Sequence, residues 1–272
     1  MGKFLQYLLI SSLIFGGSMI GYNNKIFAET NENNVVLSTS EGTQIKIELD
    51  NSEEIIDKKV YKVENGVKQE LIIQPSRKKT DYRMEFNLEN EEYLKIAQDE
   101  FGNDTNSANI FNKNGESIAV VLIPISKAEN GKEVDVEVSV ENKNVLKIEV
   151  EPSVQSTFVQ IQALSYSYSD YFSSGKWITR DGLISLSLSP KKLVYERHSN
   201  PNLHAAIGVD SWNKVVNKHS SSSNWKNTAQ MKNQYICHRD YAQGFKTPWN
   251  LEPARPLVSY AETVKHACNN PL

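Results

Sequence analysis

The residues best suited to chemistry in this 272-residue chain lie close together near its C-terminus. An unperturbed histidine such as His238 titrates near neutral pH, and Glu252 is a candidate general base with Arg255 nearby to stabilise an anion. His238, Glu252 and Arg255 are therefore candidate catalytic residues. The preferred alternative is an ion pair between Glu252 and Arg255 that holds the loop, with His238 satisfied by the backbone.

Candidate binding residues occupy the same stretch. Trp249, Arg239 and Arg255 are charged or aromatic groups on or beside a loop, and rigid loops commonly carry interaction sites. No metal site is predicted, because His198 and His204 are near each other but the chain has neither a His-Glu-x-x-His nor a Cys-x-x-Cys motif. No cofactor is predicted.

Cys237 and Cys268 are the only cysteines of the chain. In an exported protein they are expected to form a disulfide, which would enclose this stretch. Three prolines inside it predict an ordered loop without regular structure, namely Pro248, Pro253 and Pro256. Such a loop suits recognition, but the preferred interpretation is a disulfide-closed loop that only stabilises the fold.

The N-terminus is typical of a signal peptide. Lys3 precedes an apolar run from Phe4 to Ile20, and cleavage is expected after Ala28. We therefore expect a secreted, extracellular protein without stable membrane insertion after the signal is removed. Retention by an uncleaved signal anchor is the alternative, since the run is barely long enough to span a bilayer.

Charge divides the rest of the chain. Residues 29–162 carry a formal net charge of -11 and residues 163–272 one of +6, and all four tryptophans and all five histidines lie in the second part. We expect two domains with this boundary, giving an α+β protein overall. The first is mostly antiparallel β, and the second is small and α+β, with a β-hairpin, two or three helices and one disulfide.

Alternating apolar residues predict the strands of the first domain. Residues 35–50 predict one hairpin, and residues 60–73 predict a second around the pair Asn65 and Gly66. Residues 83–88 and 117–151 predict further strands. Residues 91–98 predict a short helix.

In the second domain, Asp181 and Gly182 predict a hairpin turn between residues 177–180 and 183–189, with a solvated or thinly covered serine face. We expect one helix to be capped by Asp210 and a second to span 225–237. Ser259 and Glu262 form a capping box for a third, which would carry Cys268 on its buried face.

Four segments together carry a family resemblance: KWITRDGLISLSLSP, NWKNTAQMKNQYICH, WNLEPARP and SYAETVKHACNNP. In this order, with both cysteines, they resemble family 2599 of the domains of unknown function, found at the C-terminus of exported proteins of Gram-positive and actinobacterial type. The resemblance covers about residues 171–271. It implies no activity.

The function best matched by these features is binding. We expect a secreted protein whose basic C-terminal domain recognises an anionic or protein surface: a cell-wall polymer, a host or bacterial surface, or another protein. Nucleic acid is not an expected partner. One alternative is a hydrolase or nuclease-like antibacterial toxin that uses His238 or His219 with Glu252. Another is an enzyme inhibitor that presents the proline-containing loop.

Overall fold

The computed structural model describes residues 34–50, 52–89, 91–99, 101–197 and 201–272, without the side chains of 124, 125 and 201. The predicted signal peptide, its cleavage after Ala28, and His198 lie outside the described residues. Within the described ranges, no helix has the length and apolar composition needed to cross a bilayer.

Eleven antiparallel strands build the N-terminal part. Their bounds are β1 Asn34–Ser38, β2 Gln44–Leu49, β3 Ile55–Val63, β4 Gly66–Ile73, β5 Thr80–Asn87, β6 Tyr93–Gln98, β7 Asp104–Phe111, β8 Ser117–Ala128, β9 Val136–Glu141, β10 Val145–Val150 and β11 Thr157–Leu164. They form two sheets with the orders β1-β2-β5-β10-β9 and β3-β4-β11-β8-β7-β6. The predicted antiparallel β architecture is confirmed.

The hairpins form where the sequence alternates. In β2, Ile45, Ile47 and Leu49 are buried while the residues between them are more exposed. Such a period of two places one face of a strand against a core. Apolar side chains from both sheets join one buried cluster, which includes Leu37, Tyr82, Phe86, Ile148 and Val159.

The predicted helix over residues 91–98 is wrong, because this segment is strand β6. It pairs with β7 from Tyr93 opposite Phe111 to Gln98 opposite Asp104. Leu94 and Ala97 are buried, and their spacing of three fits a helical face as well as an irregular strand. Pairing with β7, which the local sequence does not encode, decides between them.

The C-terminal part contains α1 Tyr168–Tyr171, β12 Phe172–Arg180, β13 Leu183–Pro190, α2 Lys192–Tyr195, α3 Pro201–His219, α4 Thr228–Cys237, a π-helical turn His238–Ala242, β14 Trp249–Leu251 and α5 Tyr260–Lys265. A three-stranded sheet has the order β12-β13-β14. The predicted α+β class is confirmed. So is the hairpin, whose turn residues Asp181 and Gly182 have φ of 52° and 79°, as a tight primed turn requires.

Two expectations about this part are wrong. Asp210 does not cap a helix but lies inside α3, which begins at Pro201, a residue well suited to a first helical position. The segment between Pro248 and Pro253 is not free of regular structure. Its residues Trp249 to Leu251 contain no proline and pair with β13 as β14.

Ser259 caps the last helix as expected, since its side chain accepts from the Glu262 amide, but the Glu262 carboxylate pairs with Lys265 and does not complete a capping box. The helix ends at Lys265, however, so Cys268 lies beyond it rather than on its face. Cys268 nevertheless forms the predicted disulfide with Cys237, at a Cα–Cα distance of 5.3 Å. The bridge joins the end of α4 to the segment that follows α5.

Helix α3 connects the two parts. It packs across β8, β7 and β6, and Ala206 joins a small buried cluster with Val120, Leu122 and Leu164. Asp210, on the same helix, is fully buried and accepts a hydrogen bond from the Tyr171 hydroxyl at 2.5 Å. Burial raises the pKa of Asp210. The expected domain boundary at 162 stays a prediction, and β11 continues two residues past it.

Removal of the disulfide should lower the free energy of unfolding by about 3.5 kcal/mol, because the bridge restricts the unfolded chain over a sequence separation of 31. We expect this loss in urea unfolding of a variant that combines Cys237→Ser with Cys268→Ser. The wild-type protein in reducing agent should show the same loss. An unchanged unfolding midpoint in both samples would contradict the stabilising role.

Candidate functional site

Glu252 and Arg255 form a buried ion pair. The Glu252 side chain is 1% exposed and the Arg255 side chain 14%, and Arg255 Nε donates to Glu252 Oε2. Ser185 Oγ donates to Glu252 Oε1 at 3.2 Å. Ser185 is fully buried, so of the two alternatives expected for the serine face of β13, solvated or covered, this position is covered. Strand pairing brings the serine beneath the carboxylate.

Further hydrogen bonds fix this pair to its surroundings. Buried Gln234 of α4 donates to the Glu252 carbonyl at 3.1 Å and accepts from the Glu252 amide at 2.8 Å. Arg255 Nη1 donates to the carbonyl of Asn270, whose side chain accepts from Gln230 at 2.6 Å. The ion pair therefore connects β13, β14, α4 and the C-terminal residues. A catalytic role for it stays a prediction, and the carboxylate is closed to solvent.

His238 is also closed to solvent, at 2% exposure. Its Nδ1 lies 2.8 Å from the Gln234 carbonyl, which can only accept, so Nδ1 carries the proton. Burial lowers the pKa of His238 to about 4. The expectation that it titrates near neutral pH is therefore wrong for the folded protein, in which His238 is neutral at pH 7.

Two of the predicted binding residues face inward. Trp249 is fully buried, its Nε1 donates to the Gln243 carbonyl at 3.0 Å, and its ring lies 5.7 Å from that of Tyr235. Arg239 is 4% exposed and donates through Nε to the Val194 carbonyl at 3.1 Å. Neither offers a contact surface to a partner, because Trp249 fills the core and Arg239 satisfies buried carbonyls.

Two further histidines of the described residues, His204 and His219, form hydrogen bonds to neighbouring side chains. His204 Nε2 lies 3.2 Å from Asp240 Oδ1, and the Tyr260 hydroxyl donates to Asp240 Oδ2 at 2.8 Å. His219 Nε2 and the Tyr168 hydroxyl form a hydrogen bond at 3.0 Å. Burial lowers the pKa of His219. Across the described ranges, no three His, Cys, Asp or Glu side chains converge as metal ligands.

The surface of the C-terminal part is strongly basic. Three of its seven acidic side chains are buried, Asp210, Asp240 and Glu252. Glu196 and Glu262 are each paired with a lysine. In residues 172–197 and 201–272, ten basic residues are exposed: Lys176, Arg180, Lys191, Lys192, Arg197, Lys218, Lys226, Lys232, Lys246 and Lys265. Burial of the carboxylates thus leaves the cations to dominate the surface.

One part of this surface is continuous along the chain and free of acid. No Asp or Glu lies between Asp210 and Asp240. We use the term lysine–serine surface for the exposed residues Lys218, Ser220, Ser221, Ser223, Lys226 and Lys232. They lie at the end of α3, in the following turn and on α4.

Aromatic contacts fix the geometry of the lysine–serine surface. Lys218 Nζ lies 3.9 Å from the ring centroid of Tyr168, a cation–π contact. The ring of Trp225 lies 5.9 Å from that of Trp212 on α3, and Trp225 Nε1 donates to Thr228 Oγ1 at 2.8 Å at the start of α4. The turn that carries the serines is thereby held against both helices. Residue-by-residue inspection missed this surface, although the net charge of the C-terminal half pointed to it.

The N-terminal part has a cavity of opposite charge. It has a volume of about 580 Å³ and is lined by Glu41, Glu89, Glu91 and Glu92 with Lys113 and neutral residues. The two parts of the molecule therefore carry surface charge of opposite sign.

Residues 172–271 match the model of a family described as protein of unknown function (DUF2599). Uncharacterized proteins of Mycobacterium tuberculosis and Mycobacterium bovis are each 34% identical over 97 residues, which are 35% of this chain and 62% of theirs. An uncharacterized protein of Mycobacterium leprae is 32% identical over 97 residues, 74% of its length. The chain thus spans 62% of the length of the first two relatives.

The buried state of His238 should make stability depend on pH. Because the pKa of His238 falls from 6.5 to about 4 on folding, the unfolded chain binds a proton between these values that the folded protein excludes. Stability should therefore fall by about 3 kcal/mol as pH drops from 6.5 to 4. We expect His238→Gln to flatten the pH dependence of the urea midpoint in this window.

The matched control is His266→Gln, since His266 is exposed. This variant should keep the wild-type dependence on pH. If His238→Gln and His266→Gln gave the same slope as the wild type, His238 would not be the group excluded from protonation.

Proposed function

The chain belongs to the DUF2599 family through its C-terminal residues 172–271, and we propose that it is a secreted bacterial binding protein that recognises an anionic polymer with its C-terminal part. The lysine–serine surface would supply the contacts. Lysine ammonium groups attract phosphate or carboxylate groups, and the serine hydroxyls between them can donate hydrogen bonds to the same oxygens. A polymer with repeated anionic groups fits cations spread along an extended surface.

The observation that carries this proposal is the separation of charge by burial. Asp240 is 9% exposed and is held by His204 and Tyr260, while Glu252 is held by Arg255. Lys218, Lys226 and Lys232 have no acidic neighbour in their own segment. Lys218 also lies in the last turn of α3, where the helix dipole favours a cation. An anion approaching this surface therefore meets uncompensated positive charge.

Export is part of the proposal. A disulfide persists in an oxidising environment outside the cytoplasm, and the Cys237–Cys268 bridge fits that setting. In the envelope of a bacterium, the abundant extracellular anionic polymers carry phosphodiester or carboxylate groups. The protein would bind such a polymer without changing it.

The test is binding to soluble poly(glycerol phosphate), with neutral dextran as the reference polymer. The triple variant Lys218→Gln, Lys226→Gln and Lys232→Gln should bind about tenfold more weakly, because three cations at a polyanion together contribute on the order of 1.4 kcal/mol. Wild-type binding should weaken steadily between 50 and about 300 mM salt, as screening shortens.

A triple variant in the N-terminal sheets serves as the matched control. Lys95, Lys113 and Lys132 are exposed, and their replacement by Gln removes the same charge without touching the lysine–serine surface. It should leave binding unchanged. Equal weakening by both triple variants would contradict the assigned surface.

Shortening of the polymer during incubation would favour the hydrolase alternative, and a stoichiometric complex with an enzyme through the proline-containing loop would favour the inhibitor.

A further inference from the structure

A short protruding segment lies apart from the lysine–serine surface and presents aromatic side chains to solvent. Phe245 is 93% exposed and Tyr241 is 59% exposed. Both belong to residues 241–246, which comprise the last two residues of the π-helical turn His238–Ala242 and the start of the segment that leads to β14. We call this segment the aromatic tip. Isolated exposed apolar side chains are common on folded proteins, but here two exposed aromatic side chains and the exposed Lys246 lie within six residues.

Several backbone groups of the aromatic tip are hydrogen-bonded within the protein. The Gln243 amide donates to the His238 carbonyl at 2.7 Å, and the Phe245 amide donates to the Ala242 carbonyl at 3.0 Å. The Gln243 carbonyl accepts from Trp249 Nε1. A peptide group that is already hydrogen-bonded costs less free energy on entering a region of low water content than an unpaired donor or acceptor does.

The base of the aromatic tip is anchored in the core. Gly244 lies so close to the Tyr195 ring that a Cβ would meet it at 2.9 Å, and Tyr195 lies 6.4 Å from Trp249. Gln243 also donates to the Asp240 carbonyl at 3.2 Å. These contacts hold the tip in one arrangement, so Phe245 is ordered before it meets a partner and little entropy is lost on binding.

Two exposed cations accompany the aromatic tip, and the neighbouring Glu196 is paired with Lys192 at 3.2 Å. Lys246 follows Phe245 and is exposed. Arg197 is exposed and donates to the Asp240 carbonyl at 3.0 Å, which places it at the same turn. The nearby carboxylate of Asp240 is buried between His204 and Tyr260. Aromatic rings beside lysine or arginine suit the boundary between lipid headgroups and acyl chains.

From these observations we propose that the aromatic tip binds the surface of an anionic phospholipid bilayer. Phe245 enters the boundary between headgroups and acyl chains, the amphipathic ring of Tyr241 lies at headgroup level, and Lys246 and Arg197 contact lipid phosphates. A protruding tip fits a planar, deformable surface, and cations around it fit a negative one. This binding is peripheral. It goes beyond the proposed polymer recognition, because it uses different residues.

The test is co-sedimentation of the full chain with vesicles of phosphatidylcholine and phosphatidylglycerol in a 3:1 ratio, and with phosphatidylcholine alone. Phe245→Ala should lower the partition coefficient to the anionic vesicles about tenfold, the loss expected when one aromatic ring no longer leaves water. Lys246→Gln should lower it about fivefold on anionic vesicles and have no effect on phosphatidylcholine alone.

Ile56→Ala is the matched control, because Ile56 is an apolar side chain of the N-terminal sheet with 60% exposure. It should bind like the wild type. In a Phe245→Trp variant, vesicles with brominated acyl chains should quench the added fluorescence, measured against the wild-type signal. Failure of the wild type to sediment with anionic vesicles, or equal loss in Phe245→Ala and Ile56→Ala, would overturn the proposal. Capture by a protein receptor with no vesicle binding would also overturn it.

Discussion

The buried ion pair between Glu252 and Arg255 is the interaction on which the C-terminal structure depends. A carboxylate that is 1% exposed is tolerated only when hydrogen bonds and a countercharge replace its water. Arg255 supplies the charge and Ser185 supplies a hydroxyl. Gln234 holds the backbone of Glu252, and the Asn270 carbonyl accepts from the Arg255 side chain. The disulfide limits the freedom of the chain around the same pair, so covalent and ionic constraints act on one segment.

The burial of carboxylates also explains the positive charge of the C-terminal surface. Each buried carboxylate of the C-terminal part is matched by an internal partner: Tyr171 for Asp210, His204 and Tyr260 for Asp240, and Arg255 for Glu252. The acids are thus used to hold the fold, and most of the lysines remain in water. A chain with a net charge of only -3 consequently presents an acidic sheet region and a basic C-terminal region.

Local sequence signals predicted the features that depend on local physics. The turn at Asp181 and Gly182, the N-cap at Ser259 and the pairing of the only two cysteines were all predictable, since backbone conformation or covalent chemistry restricts each. The features that local sequence did not predict are set by contacts between residues that are far apart in the chain. Pairing with β7 makes β6 a strand, packing of α3 on the sheets places Asp210 in a helix interior, and core burial removes His238 and Trp249 from the surface. The lysine–serine surface was not predicted because the exposure of its lysines depends on how α3, the following turn and α4 pack on the rest of the protein.

The most direct test of the account is a double-mutant cycle between Glu252→Gln and Arg255→Met, measured by urea unfolding of the oxidised protein. Because both side chains are largely buried, each single variant should lose about 3 kcal/mol, and the double variant should recover a coupling of about 2 kcal/mol or more. A coupling below about 0.5 kcal/mol would mean that the two residues do not depend on each other. The pair would then not be the constraint that organises the C-terminal part.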